Sequence, residues 1–307
     1  MKIINSKQQL IQLSKFSGGE FAVSDLDSAY KFCEKIASSH YENFPVGSIF
    51  IPQKNRKYFY SVYAFSRIAD DIADELINTE GIDRIKILDD YANNLSDLKI
   101  FEKNSGNPIF VAIADTVKQK NLPLEPFLKL IKAFKMDANF THSDKFEDLL
   151  YYCSYSANPI GELVLRIFEM YNDETAPLSD AICSGLQLIN FWQDLSVDLK
   201  NGRIFIPNEI LKKYNLEKEN LVLQEKNTNF KSCISVIFEY TLQIYKNGEN
   251  LPQLLKPFRL KKEIAITYFA GLVILEKCEK MGTKLVIERP KLRKIDYLKI
   301  LFKALFS

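Results

Sequence analysis

The sequence predicts an all-α, single-domain protein on three observations. Long segments carry apolar residues at helical spacing, spotted with acids and lysines. Alternating runs of Val, Ile and Thr that would mark strands are hard to find. Gly and Pro are scarce, eleven of each in 307 residues, and no Gly/Ser-rich or Pro-rich linker divides the chain. Apolar residues make up 47% of it, enough for a sizeable core.

Helices are expected at about 27–40, 53–77, 82–100, 107–120, 124–138, 145–170, 178–200, 206–214, 229–250 and 258–282, with a short one near 295–305. Residues 1–26 read as a peripheral N-terminal segment, and 284–307 as a basic amphipathic tail. NLPLEP, residues 121–126, is a turn feeding the helix that follows. THSD, residues 141–144, looks like a helix start, with Asp144 and Glu147 at capping-box spacing. Pro159 removes a hydrogen bond and should bend the 145–170 helix. Cys153, Ala157 and Gly161 form a row of small residues there, and close helix packing is its plainest meaning. In LKNGRIFIP, residues 199–207, Asn201-Gly202 supplies a left-handed helix stop and Pro207 opens what comes next.

Charge and composition exclude several function classes. With 41 basic and 39 acidic residues the net charge is +2, which gives no support for nucleic-acid binding. Five widely spaced cysteines without a CxxC pair indicate reduced thiols in a cytoplasmic protein. The amino terminus lacks the apolar core of a signal peptide. No stretch reaches the roughly 18 apolar residues of a membrane span. The two histidines, His40 and His142, sit in neither HExxH nor ExxH, against most zinc hydrolases and carboxylate–histidine di-iron bundles.

Two acidic faces carry the chemistry. In YAFSRIADDIADE, residues 63–75, Tyr63, Arg67, Asp70 and Asp74 share one helix face, with Asp71 and Glu75 to its side. In QLINFWQDLSVDLKNGR, residues 187–203, Gln187, Asn190, Asp194 and Asp198 share another, opposite Leu188, Phe191, Leu195 and Leu199. Carboxylates at i and i+4 repel one another, so something positive should compensate. Mg²⁺ takes one or two carboxylates plus waters and phosphate oxygens. Two such helices facing each other would hold Mg²⁺ between them, with a diphosphate bridging the ions and Arg67 and Arg203 completing its neutralisation. A third D-xxx-D, Asp144 and Asp148, falls at a helix start and is read as structural.

These segments resemble the squalene/phytoene synthase family, the head-to-head isoprenoid synthases. YAFSRIADDIADE is similar to its first aspartate motif, NFWQDLSVDLKNGRIFIP to its second, and YYCSYSANPIGELVL (151–165) to its intervening segment. HYENFPVGS (40–48), SANPIG (156–161) and the tail ERPKLRKIDYLKILFKAL (288–305) are most similar to the hydroxysqualene branch, where Ala157-Asn158-Pro159 replaces the usual Ala-Gly.

The resemblance implies a helical bundle around a central apolar cavity and an isoprenoid diphosphate as substrate. Presqualene diphosphate would lose diphosphate and be captured by water as hydroxysqualene, with Mg²⁺ and without NADPH. Asp70, Asp71, Asp74, Asn190, Asp194 and Asp198 would be metal ligands. Tyr63 and Arg67 would join the acids in catalysis. Arg67, Gln187, Asn190, Arg203, Tyr155, Asn158, Phe44 and Ser48 would bind substrate. The small-residue row would leave room for a farnesyl chain. His40 would bind phosphate or serve structure, and Phe44, Tyr155, Phe168, Phe191 and Trp192 are candidate cavity liners, with core packing the plainer role for each. The tail is read first as a docking helix and second as a contact with an anionic membrane surface. A functional association with other squalene-pathway enzymes is also implied. The alternatives are a squalene, presqualene diphosphate or phytoene-type synthase joining two prenyl diphosphates, and, in a different class, a non-catalytic helical scaffold.

Overall fold

The computed structural model describes residues 4–39, 51–77, 79, 81–98 and 105–305 of the chain. His40, Glu42, Phe44 and Ser48 lie outside them. Among the described residues there is no strand; one isolated bridge pairs Val23 with Gly106. The chain gathers into two compact units, Met1–Asn139 with Glu162–Met170, and Phe140–Gly161 with Tyr171–Ser307.

The first unit is built around α3 (Gln53–Glu75), against which α1 (Lys7–Ser14), α2 (Leu26–Ser39), α4 (Arg84–Ser96), α5 (Pro108–Lys120) and α6 (Glu125–Ala138) pack. Val62, Ala64, Phe65, Ile68, Ala69 and Ile72 form the buried stripe of α3, the helical period anticipated from sequence. Phe65 stacks on Tyr91, and the rings of Phe110 and Phe127 meet it edge-on. Helix α1 falls in the segment read as peripheral. Ser6 caps it, Leu10 and Leu13 are fully buried, and the Asn107 side chain donates to the carbonyls of Leu13 and Lys15. Its eight residues carry too short an apolar pattern to stand out in sequence.

The second unit contains α7 (Phe146–Ser156), the start of α8 (Asn158–Ile167), α9 (Thr175–Gln193), α10 (Leu195–Lys200), α11 (Asn208–Lys213), α12 (Thr228–Lys246), α13 (Leu251–Leu254), α14 (Phe258–Met281) and α15 (Lys294–Leu305). Helix α9 packs against α7, α12 and α14. The Tyr245 ring of α12 wedges into this junction. A side chain at Gly185 of α9 or Gly271 of α14 would collide with it, and its hydroxyl donates to the Tyr268 carbonyl at 3.0 Å.

Two expected helices are divided and a third is shorter. The 145–170 helix breaks at Ala157, two residues before Pro159, whose missing N–H and ring disfavour the helix at that point. The 178–200 helix is interrupted at Asp194. The 229–250 helix ends at Lys246, before α13. The expected cap at Asp144 and Glu147 is corrected: Lys145 is the N-cap, and Asp148 accepts from the amides of Asp144 and Lys145 at 3.0 and 2.8 Å. Asp148 thus has the structural role read for it. Gly202 adopts φ 72°, as the left-handed stop requires. All five cysteines are free thiols.

Candidate active site

The first acidic cluster occupies the last two turns of α3. Pro52 precedes this helix, and its carbonyl accepts from the amides of Asn55 and Arg56. At the far end the Arg84 guanidinium donates to the carbonyls of Ala73 in α3 and Ala138 in α6, satisfying acceptors a helix terminus leaves open. Arg67 grips two carboxylates. Its Nη1 lies 3.2 Å from Asp70 Oδ2 and its Nη2 2.5 Å from Asp71 Oδ1. This is the compensating cation that the crowded acids demand.

Exposure reorders those acids. Asp71, expected to the side of the working face, is buried, whereas Asp70 has a side chain 41% exposed. Asp74 and Glu75 are exposed at the end of α3. Tyr63 is partly buried; burial lifts its phenol above the ordinary value, although Arg67 pulls the other way. It is therefore a neutral O–H donor near neutral pH. Arg67 Nε is buried and has no hydrogen-bond partner among the described residues.

The second cluster lies where α9 gives way to α10. Asn172 starts α9 by accepting from the amides of Glu174 and Thr175. The break at Asp194, with φ −94° and ψ 7°, preserves the helical spacing around it: its amide donates to the Asn190 carbonyl, and its carbonyl accepts from Asp198, both at 2.9 Å. Asp198 is buried, and its Oδ1 lies 3.3 Å from Arg203 Nη2. Asn190 is exposed and Gln187 partly buried.

Asp194 has a cation the sequence reading did not pair with it. Arg289 forks onto its carboxylate, Nε to Oδ1 and Nη2 to Oδ2. Beside it Gln193 donates to the Pro290 carbonyl at 2.8 Å. A pair separated by 95 residues leaves no periodic trace in the sequence.

Of the expected liners, Phe191, Trp192 and Phe168 are all buried. Phe191 stacks on Phe205, with centroids 3.8 Å apart, and meets Tyr152. Trp192 is core: buried, with its indole N–H donating to Thr241 at 2.8 Å. Phe168 is buried in the first unit. The Tyr155 ring lies 4.9 Å from Tyr151, and the Asn158 side-chain oxygen accepts from Ser184 at 2.8 Å. In the small-residue row, a side chain at Gly161 would strike Ser179 and Cys183, and the Cys153 thiol faces the Ser184 carbonyl, which is close helix packing. An open cleft of about 470 Å³ in the second unit is lined by Phe146, Glu209, Lys213 and Tyr240 among others. None of the sequence-predicted site residues lines it.

Among the described residues no three His, Cys, Asp or Glu side chains converge on one point. The donor chemistry nonetheless fits a hard cation that takes one or two carboxylates per helix and completes its shell with water and phosphate. Each cluster offers paired carboxylates, and each holds an arginine beside them.

Comparison with known proteins defines the class: an all-α enzyme of isoprenoid biosynthesis. Residues 37–296 match the squalene/phytoene synthase family model, and the chain belongs to that family. A hydroxysqualene synthase from Rhodopseudomonas palustris is 27% identical over 267 residues, 87% of this chain and 88% of that protein. A phytoene synthase from Mycobacterium tuberculosis is 30% identical over 190 residues, 62% of this chain and 61% of that protein. Among solved structures, squalene synthase HpnC from Alicyclobacillus acidocaldarius has a TM-score of 0.77 at 36% identity, covering 84% of this chain and 95% of that one.

Proposed function

We propose that this chain converts presqualene diphosphate and water into hydroxysqualene and diphosphate, with Mg²⁺ as its divalent ion. The observation that carries this reading is the arginine-held pair of acidic clusters, Arg67 on Asp70 and Asp71, and Arg289 on Asp194. Likeness to a hydroxysqualene synthase over 87% of the chain supports the branch, as does Ala157-Asn158-Pro159 in place of the usual Ala-Gly.

Asp70, Asp71, Asp74, Asn190, Asp194 and Asp198 are the residues proposed to hold the ion. Bound there, it would supply Lewis-acid neutralisation of the leaving diphosphate. Arg67, Arg203 and Arg289 bind phosphate oxygens, since a guanidinium that pairs with a carboxylate can also grip a phosphate. Gln187 and Asn190 add amide contacts, and Tyr63 offers its O–H. Tyr155 and Asn158 contact the substrate, and Phe44 and Ser48 are assigned the same task.

The bond from carbon to the diphosphate oxygen breaks with its electron pair leaving on oxygen. The carbocation rearranges, water forms a new carbon–oxygen bond, and its extra proton is lost. No electrons enter, so NADPH is not consumed. Apolar, aromatic surroundings keep other nucleophiles from the cation.

A second reading, head-to-head joining of two prenyl diphosphates, is favoured by likeness to a phytoene synthase and to the squalene synthase from Alicyclobacillus acidocaldarius. Incubating the purified chain with presqualene diphosphate or farnesyl diphosphate, each with and without NADPH, separates the two. The proposal expects an alcohol from presqualene diphosphate without reductant. Squalene formed only with NADPH, or product from farnesyl diphosphate alone, overturns the branch. Absence of diphosphate release under every condition would support the scaffold alternative.

A further inference from the structure

Helix α15 docks with its narrow side. Asp296, Ile300 and Ala304, four residues apart, are buried against the second unit. Its start is held by Asp296, which accepts from Lys277 Nζ at 2.8 Å and from the Arg293 amide. Its end is held by the buried Lys262, whose Nζ donates to the carbonyls of Ala304 and Leu305 at 2.8 and 3.0 Å. The preferred reading of the tail as a docking helix describes this half.

The opposite half is apolar and exposed. Ile295, Leu298, Phe302 and Leu305 share the face turned away from Ile300, and each is 56–66% exposed. Leu301 borders them at 41%. Phe258, 68% exposed at the start of α14, extends the stripe. Its ring lies 5.7 Å from Lys262 Nζ, which itself bonds the last carbonyls of α15. A water-facing helix normally inverts this pattern, and a contiguous apolar patch marks an interaction surface.

Cations rim the stripe. Lys291, Arg293, Lys294, Lys299 and Lys303 are all exposed, as are Lys256 and Arg259 beside Phe258. Within 291–305 Asp296 is the lone acid, and it is turned inward onto Lys277. Exposed Glu276 lies near Lys299 and Lys303 and pairs with Lys280. A protein partner's apolar groove would bury the lysines with the leucines, at a desolvation cost. A bilayer surface takes both, because lysine stems lie along the apolar layer while their ammonium groups reach anionic headgroups.

We propose that α15, with Phe258, is a membrane-surface docking face that lies in the interface of an anionic bilayer without crossing it. No helix among the described residues is long and apolar enough to span. The face stands apart from both acidic clusters in its residues and is independent of the reaction assigned above.

Flotation with vesicles tests it, using the full chain and either pure phosphatidylcholine or a mixture containing about one-third phosphatidylglycerol. The wild type should float with the anionic vesicles, more weakly at high salt. Leu298→Asp combined with Phe302→Asp should lower the bound fraction about tenfold or more. Lys299→Glu combined with Lys303→Glu should lower it on anionic vesicles only. Both pairs are exposed, so circular dichroism should be unchanged, and diphosphate release from a detergent-dispersed substrate should match the wild type. Equal flotation of the wild type and both variants overturns the proposal. So does lack of flotation by the wild type, or a dimer in light scattering that the apolar variant dissolves while vesicles have no effect.

Discussion

Arg289 forks onto Asp194, joining the approach to the C-terminal helix to the end of α9. The contact is bidentate and half-exposed, with Arg289 40% and Asp194 34% accessible. Pairs of that exposure contribute little to stability. A role in charge handling is the better account of so specific a geometry. Arg289→Ala is expected to lower kcat/KM for diphosphate release by roughly 10²-fold, the loss of about 2–3 kcal/mol of charge-assisted contact. Arg289→Lys should recover part of that, and Tm should move little in either variant.

The acids of α3 should separate activity from stability. Asp70→Asn, at an exposed site, is expected to abolish turnover while shifting stability by less than about 1 kcal/mol. Asp194→Asn should behave alike, with helix content unchanged in circular dichroism. Asp71→Asn removes the buried partner of Arg67, so it should also destabilise the fold, by about 1–3 kcal/mol in denaturant titration. Unfolding of the Asp70 and Asp194 variants would instead identify the clusters as scaffold.

Removing divalent ions with a chelator should stop turnover and leave the helical signal intact. Adding Mg²⁺ together with inorganic diphosphate should raise Tm in the wild type, because ligands that bind only the native state stabilise it. The rise should be absent in Asp70→Asn. A Tm increase of the same size in that variant would place the ion elsewhere.

Glu263 on α14 gives the fold a pH signature. Its Oε2 is buried without a hydrogen-bond partner among the described residues, and burial pushes the carboxyl up from 4.5 to about 7. An acid raised on folding binds more protons in the native state than in the unfolded one. Stability therefore falls as pH rises from about 4.5 to about 7 and stays lower above that. Glu263→Gln should flatten this slope and stabilise the protein at alkaline pH by at most about 3 kcal/mol, read from urea midpoints across the range.

Gly185 should be intolerant of any side chain. A methyl group there meets the Tyr245 ring, which is fully buried and hydrogen-bonded in place. Gly185→Ala is expected to cost about 1–3 kcal/mol of stability, measured by denaturant unfolding.

The helical period of residues 63–75 was legible because Ile68, Ala69 and Ile72 repeat on one side of α3 and the acids on the other. The stop at Asn201-Gly202 was legible because glycine fits the left-handed backbone at little cost. The wheel put Asp71 to the side of the face that carries Asp74, but it could not tell that Asp71 is buried and Asp74 exposed, since it gives the angle of a side chain and not where the helix ends or what packs on it. The break at Asp194 had no proline or glycine to announce it. Helix α1 gains its order from Asn94 and Asn107, far along the chain, and such long-range capping is invisible to local pattern. The Arg289 pairing escaped for the same reason.

The two fastenings of α15, a carboxylate at its first turn and a buried ammonium at its last, have a mechanical consequence. A strip tied at one end swings; a strip tied at both keeps its heading. Whatever surface receives Leu298 and Phe302 therefore meets the second unit at a fixed tilt, and cutting either tie should leave adhesion intact while letting that tilt wander.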